Sequence, residues 1–545
     1  GFQGNVYEGL YTYHFLKRPV EVIPQLAAAM PEVSEDGLTY TVRIKDGVLY
    51  HRNPCFGRES ESRWATRTVR AEDFVLAFKR IADYHINTGL AWAFASDITG
   101  LQEYREKTRR YPAGDFSRYD LPVEGVRALD ELTVQFHLDK PYPQFIYFLA
   151  MHVGAPIPRE AVDYWLATED DGEGGRRPIP IAQRTTEFRE AEKVVGTGPY
   201  VFRTFQRKSR IVLERNEDYR DDYYPTEGEP GDLAEGLLDD AGRKVPFIDV
   251  MRYDFVEESY AAWMLFLSRQ RDASGIPKDV FENVIRPDQS LEDRWSRRGI
   301  RLKTYTQPVI FWIVFNMEDP VIGASKSLRQ ALSAGFDAES YIEVLFNGRG
   351  TRPINILPSS FKGWAEAGPG RYFRYDLDLA KAKIEEARAE LQALGLLEDG
   401  EIPQLSIDLG GTDQRSIQMG EFFQQQFAKL GVDLRVIPND WPKLQEKVHN
   451  KQCQMYTMGW HADCPDAQNF LQLFYSPNIA RQTNNSNFSN EAFDRLYERV
   501  SVMNDSPERT ALYAELVNII SEECPVLPTL EPESYVLVYD WVKNV

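Results

Sequence analysis

Apolar and polar positions alternate with a period of two in several short runs, and longer runs between them carry helical spacing. Leu38, Tyr40, Val42 and Ile44 alternate after the Glu35-Asp36-Gly37 turn, which predicts a half-buried strand ending at Asp46-Gly47. Thr68 reads as the N-cap of a helix, with Glu72 and Asp73 in its first turn and Phe74, Val75, Phe78 and Ile81 as its apolar stripe. Leu132 to Leu138 alternates again and is closed by Pro141. Gly196-Thr197-Gly198-Pro199-Tyr200 forces a tight bend into a hairpin whose strands are Tyr200 to Phe205 and Ile211 to Arg215. Glu169 to Arg177 is a charged, Gly-rich loop, and Pro225 to Pro246 is a surface loop rich in Gly, Asp and Pro.

From Phe247 onward the pattern is mixed α/β. Ile310 to Asn316 is an apolar strand containing Trp312. Leu328, Ala331, Leu332 and Phe336 mark a helix, and Leu379 to Leu394 is an amphipathic helix ended by Gly395. A β-α-β unit follows. Leu405 to Leu409 is a strand, a helix carries Ile417, Phe422, Phe423, Phe427 and Leu430, and Val432 to Ile437 is the second strand after Gly431. Such units build largely parallel sheets, and ligands bind beyond the carboxyl ends of their strands.

The stretch Gln454 to Phe470 (QMYTMGWHADCPDAQNF) takes that position. It reads as a strand, Gln454 to Met458, that stops at Gly459 and opens into a polar turn with Trp460, His461, Asp463, Cys464, Asp466 and Asn469. An aromatic wall beside a carboxylate suits an organic cation such as an α-amine. From pattern alone, a packed loop with a solvated Asp fits this turn equally well. Helices around Phe493 to Val500 and Leu512 to Ile519 follow, and the chain ends on an extended aromatic stretch from Tyr535.

The 545 residues allow three or four domains at ~150 residues each. A net charge of −20 argues against nucleic acid and anionic membranes as partners. Four cysteines in so long a chain exclude a disulfide scaffold, and the strand between Cys453 and Cys464 holds those two apart. The longest uncharged run, Pro141 to Pro158, falls short of the ~20 apolar residues a membrane-spanning helix needs.

Signatures of catalysis are sparse. The seven histidines are scattered, with no H-E-x-x-H and no zinc spacing, and neither a G-x-S-x-G elbow nor a P-loop is present. The glycines at 196 and 198 precede no helix start, so they read as a structural turn. Glu169 to Arg177 lacks the D-x-D-x-D-G spacing of a calcium loop. Asp463 and Asp466 form a carboxylate pair of the kind a glycosidase uses, but acids are abundant here. No enzyme activity, cofactor or metal is expected.

Several segments, in order, resemble the family 5 extracytoplasmic solute-binding proteins of ABC importers, the oligopeptide- and dipeptide-binding group. They are VYEGL at Val6–Leu10, SEDGLTYTVRIKDGVLYH at Ser34–His51, TVRAEDFVLAFKRIAD at Thr68–Asp83, and GTGPYVFRTF with IVLERNEDY between Gly196 and Tyr219. LRQALSAGFDAESYIEVLFNGRG at Leu328–Gly350 and GWHADCPDAQNFL at Gly459–Leu471 complete the series.

The resemblance implies an α/β, two-lobed periplasmic-binding-protein-like fold (class II, cluster C type) with mixed sheets, an extra inserted domain and a ligand cleft between lobes. Lobe I would comprise residues 1–10, 190–258 and 531–545, the inserted domain II residues 11–189, and lobe II (domain III) residues 259–530 with the G-W-x-A-D turn. The chain would capture peptides and deliver them to a membrane permease and ATPase, as an extracytoplasmic monomer, free in the periplasm or lipid-anchored. The family's anchor for a peptide α-amine falls on Asp463. Trp460 and the backbone of Gly459 and His461 would line the peptide main chain, and Trp312 and Trp92 would wall the cleft.

Three departures qualify this reading. No strand with a Leu-Asp-Pro precedes Gly1, and the sequence stops soon after Trp541 where relatives continue, so further segments are expected at both ends. Thr457-Met458 replaces a basic residue that some peptide binders carry just before the G-W pair, so a ligand carboxylate is not expected to be gripped at Thr457, and peptide length is open. The loops at Phe56 to Arg67 and Pro225 to Pro246 do not match closely. The alternatives are another solute on the same scaffold (a metal chelate with His461 beside it, a sugar or an opine-like molecule), a carboxylate-using hydrolase, and a sensor that presents ligand to a receptor.

Overall fold

The computed structural model describes residues 2–86, 97–479 and 483–544. Two compact units divide the chain, Gly1–Glu257 and Glu258–Lys543.

In the first unit, strands Glu32–Val33, Thr39–Arg43, Thr133–His137 and Val126–Asp130 form an antiparallel sheet in that order. Tyr40, Val42, Val134 and Phe136 point into one core, as their alternation predicts. The Ala71–Ala82 helix covers it, with Phe78 4.8 Å from Phe136, ring to ring. This helix starts two residues later than Thr68 suggested. Its cap is Arg70, whose N–H donates to the Asp73 carboxylate at 2.9 Å. Asp73 also pairs with Arg67 at 2.7 Å, so it acts as cap and ion-pair partner together, and Thr68 stays in extended backbone. The charged segment 169–177 closes a short hairpin, Thr168–Asp170 with Arg176–Pro178.

The hairpin Tyr200–Gln206 with Arg210–Arg215 forms as expected and is extended by Val250–Asp254. The glycines before it serve packing. A Cβ at Gly196 or Gly198 would stand 2.0 Å from the Val6 carbonyl oxygen or 2.5 Å from that of Asn5. The VYEGL segment therefore lies directly against GTGPY. Glu8 at its centre is 1 % exposed and accepts from Arg220 (2.7 Å), Thr197 and Tyr219 (2.9 Å each) and Gln25 (3.2 Å). One buried carboxylate thus ties four distant segments of this unit together.

The described strands of the second unit form an eight-stranded mixed sheet. Its order is Ala273–Gly275, Val526–Tyr539, Val309–Phe315, Met455–His461, Leu405–Leu409 and Leu434–Pro438, with Ile300–Thr306 and Gly350–Thr351 also paired to Val526–Tyr539. The β-α-β unit is present, with Leu405–Leu409 parallel to Leu434–Pro438 and to Met455–His461, and the Gln414–Ala428 helix between the first two. The remaining pairings are antiparallel. Apolar side chains cover both faces. Ile313, Phe315, Ile407 and Met455 share one core, and Ile310, Trp312, Val314 and Tyr456 share the other.

The C-terminal strand is longer than the aromatic run at Tyr535 suggested. It begins at Val526, because the apolar stretch before it is buried against Val309–Phe315. Residues 531–539, grouped with 190–258 in the family pattern, pair here with Ile300–Thr306 and Gly350–Thr351 of the second unit. Cys55, Cys453, Cys464 and Cys524 are free thiols.

Candidate functional site

The Met455–His461 strand carries the G-W-x-A-D motif, and it does not stop at Gly459. It continues to His461 with full antiparallel register against Val309–Phe315: Gly459 faces Phe311, Trp460 faces Ile310 and His461 faces Val309. The glycine is a packing element rather than a breaker, because a Cβ there would lie 2.6 Å from the Phe311 ring. The polar turn starts at Ala462, beyond the carboxyl end of the strand, as the β-α-β pattern predicts.

Asp463 is exposed at this turn. Its N–H donates to Asn469 Oδ1 at 3.1 Å, and the Asn469 amide donates back to the Asp463 carboxylate at 3.3 Å. The same Asn469 oxygen accepts from Trp460 Nε1 at 2.9 Å. Asn469, 5 % exposed, therefore fixes the indole and the carboxylate together, a role that nothing in the sequence distinguished from the other polar residues of the turn. The surrounding protein raises the Asp463 carboxyl above its ordinary value by desolvation, opposed by the Asn469 hydrogen bond and the charge of His461. A carboxylate in that state gains from a cationic partner.

Asp466, three residues on, has a different task. It accepts from Arg509 at 2.7 Å and from Tyr513 at 2.6 Å, and the side chains of Asp466 and Arg509 are 9 % and 2 % exposed. This closed ion pair uses the carboxylate that a two-acid hydrolytic site would need free.

The other expected site residues divide between the two faces of the sheet. His461 is exposed, its ring held near the Ala462 carbonyl at 3.0 Å, and Thr457 is half-buried opposite Ile313. Trp312 is 4 % exposed and packs against Phe470 and Phe474 on the Trp460 face. Its neighbour Phe311, which no local pattern distinguishes from the other apolar residues of its strand, is 42 % exposed on the opposite face, the Gly459 face. Trp92 lies outside the described residues.

Phe311 also lines a cavity of about 680 Å³ in this unit, with Gln307, Arg271, Arg349, Arg415 and Glu533 among its walls. Arg415 opens the helix after Leu405–Leu409, so it stands beyond the same edge of the sheet as Asp463. Its guanidinium lies 4.3 Å over the Phe346 ring. Arg349 donates to the carbonyls of Phe346 (2.9 Å) and Ile276 (3.0 Å). No tight cluster of carboxylate, histidine or cysteine ligands for a metal occurs among the described residues. The arrangement offers an anionic point at Asp463, beyond the carboxyl end of its strand, and a cationic cavity beside Phe311 on the Gly459 face of the same sheet.

The model of Bacterial extracellular solute-binding proteins, family 5 Middle, matches residues 21–482. The chain is 25% identical to the dipeptide-binding protein of Escherichia coli over 93% of this chain and 80% of that protein. It is 23% identical to the oligopeptide-binding protein OppA of Bacillus subtilis, over 95% and 80%. Among solved structures it is similar to the periplasmic binding protein DppA of Helicobacter pylori in complex with the peptide STSA, with TM-score 0.70, 20% identity and 99% and 90% of the two chains covered. The murein tripeptide binding protein MppA of Escherichia coli gives TM-score 0.70 at 19% identity, over 98% and 89%. The fold is therefore the two-lobed periplasmic-binding-protein fold, and the chain belongs to the family 5 extracellular solute-binding proteins of bacteria.

Proposed function

We propose that this chain is the peptide-capturing component of an ABC importer, which binds short peptides outside the cytoplasm and hands them to a membrane permease and its ATPase. The observation that carries the reading is the presence, in one unit, of an exposed carboxylate at Asp463 and a cavity lined by Arg271, Arg349 and Arg415. A peptide near neutral pH is a zwitterion. Its ammonium suits an exposed carboxylate backed by an indole, and its carboxylate suits guanidinium groups. The extended backbone at Gly459–His461 offers strand-like hydrogen bonds to the ligand main chain, with Thr457 further back along the same strand face. Relatives named for dipeptides and oligopeptides support the same ligand class. The protein performs no chemistry of its own in this reading and acts as a monomer, with or without a lipid anchor.

Within the first unit, residues 11–189 form the inserted domain, and residues 1–10 with 190–257 belong to lobe I. The cores around Phe74 and Phe136 and around Val6, Tyr200, Ile211 and Leu213 support that division, with Leu10 and Val195 at its boundaries packing into the first of them.

The test is native mass spectrometry of the purified protein, followed by denaturing analysis of released cargo and calorimetric titration with di- and tripeptides. Peptide masses, or saturable 1:1 peptide binding, are expected. A single non-peptide cargo with no peptide binding would overturn the ligand while leaving the fold.

A further inference from the structure

The cavity beside Phe311 holds more positive charge than the carboxylate of one ordinary peptide would satisfy. Arg271, Arg349 and Arg415 line it against the single carboxylate of Glu533, and Glu533 accepts from the Tyr535 hydroxyl at 3.3 Å. Among the described residues none of the three arginines has a carboxylate within ion-pair distance, whereas Arg52, Arg67, Arg118, Arg220 and Arg509 each do. Arg349 is held by backbone carbonyls and by the Phe281 ring at 4.9 Å, and Arg415 by the Phe346 ring, so both are fixed without being neutralised. Burial and the nearby positive charge of Arg415 push the Arg349 guanidinium below its usual value, as expected of like charges sharing a partly desolvated space. With three guanidiniums and one carboxylate the lining carries two net positive charges. A peptide α-carboxylate cancels one. The other is left for a second anionic group on the ligand, and a volume of about 680 Å³ has room for one.

We infer that this protein selects short peptides with an acidic side chain at or next to the C-terminus, the second carboxylate being received by the Arg271, Arg349 and Arg415 cluster. The inference rests on the peptide reading above and narrows it. Guanidinium groups bind carboxylates in bidentate fashion, and a charge-assisted pair in a partly desolvated cavity discriminates strongly against the neutral amide isostere.

The experiment is calorimetric titration at low and moderate salt with Ala-Glu against Ala-Gln and Ala-Lys, and with Ala-Ala-Glu against Ala-Ala-Gln and Ala-Ala-Lys. The glutamyl peptide should bind about tenfold or more tightly than its glutaminyl counterpart, with the lysyl peptide weakest and the preference shrinking as salt rises. Arg271→Gln, checked for an unchanged melting temperature, should reduce the Glu-to-Gln affinity ratio. Equal affinity for the glutamyl and glutaminyl peptides would overturn the inference while leaving peptide binding intact. A ratio unmoved by Arg271→Gln would remove Arg271 from the cluster's role. Binding of none of the peptides would overturn the peptide reading and this inference with it.

Discussion

The ring of Phe311 lies across the backbone of Gly459, on the neighbouring strand, so closely that a methyl group at residue 459 would meet its Cδ1 at 2.6 Å and its Cε1 at 2.7 Å. Strand register places the two directly opposite, and Phe311 is also a wall of the arginine-lined cavity. Gly459→Ala should therefore push the ring toward the cavity, at a cost of roughly 1–3 kcal/mol of stability, as overpacking does elsewhere. Denaturant melts give the stability change. Peptide affinity should fall in the same variant, and unchanged affinity would separate Phe311 from the binding surface.

Asp463→Asn should weaken peptide binding at least tenfold, corresponding to about 1.4 kcal/mol or more. Stability should move the other way or not at all. The Asp463 carboxyl is raised in the folded state, so ionising it opposes folding at pH above its unfolded value, and that cost fades as pH falls. The amide variant loses this cost and should melt at the same temperature as wild type or higher. For wild type, peptide affinity should decline as pH drops through the raised value of Asp463, since protonation removes the partner of the ammonium. Titrations between pH 4 and 8 follow it, and a flat profile would exclude Asp463 as the anchor.

Asn469→Ala removes the oxygen shared by Trp460 and the Asp463 N–H. Two polar groups lose their partner, for which about 1–3 kcal/mol is a reasonable scale. Peptide binding should weaken several-fold because the indole and carboxylate are no longer fixed relative to each other, and indole fluorescence should report the change at Trp460. Retained affinity would mean that the turn holds its shape without Asn469.

Asp466 should behave unlike Asp463, though the two are three residues apart. Its pair with Arg509 is nearly closed to solvent, and Asp466→Ala leaves a buried guanidinium without its carboxylate, held by the Val500 carbonyl and the Gln468 amide oxygen. A loss of roughly 3–5 kcal/mol is expected, read as a lower unfolding midpoint. A mild effect would show that the pair is less desolvated than its burial indicates.

Glu8→Gln tests the first unit in the same way. The carboxylate gathers Arg220, Thr197, Tyr219 and Gln25, and the amide can satisfy only part of that set. The variant should lose several kcal/mol, in the range of broken buried charge networks, and a near-neutral result would assign the cohesion of this unit to its apolar cores.

Local pattern set most of the elements. Alternation located Tyr40 and Val42 in their strand, and helical spacing with Gly395 bounded the helix before the β-α-β unit. That unit's parallel register followed from its connection alone and put the Asp463 turn beyond the carboxyl end of its strand, where a ligand group was expected. These features depend on neighbours within a few residues, so the sequence carries them directly. What only the tertiary structure decided depends on which distant residues meet. Gly459 looks like a strand end until Phe311 is set opposite it. Trp312 and Phe311 are adjacent and both aromatic, yet strand pleating buries one and exposes the other. Asp463 and Asp466 look alike in sequence, but Arg509 and Tyr513 claim the second from more than forty residues away. The arginines at 271, 349 and 415 are too far apart in sequence to suggest a cluster. They share one cavity because their segments meet at the same part of the second unit, and no periodicity along the chain records that convergence.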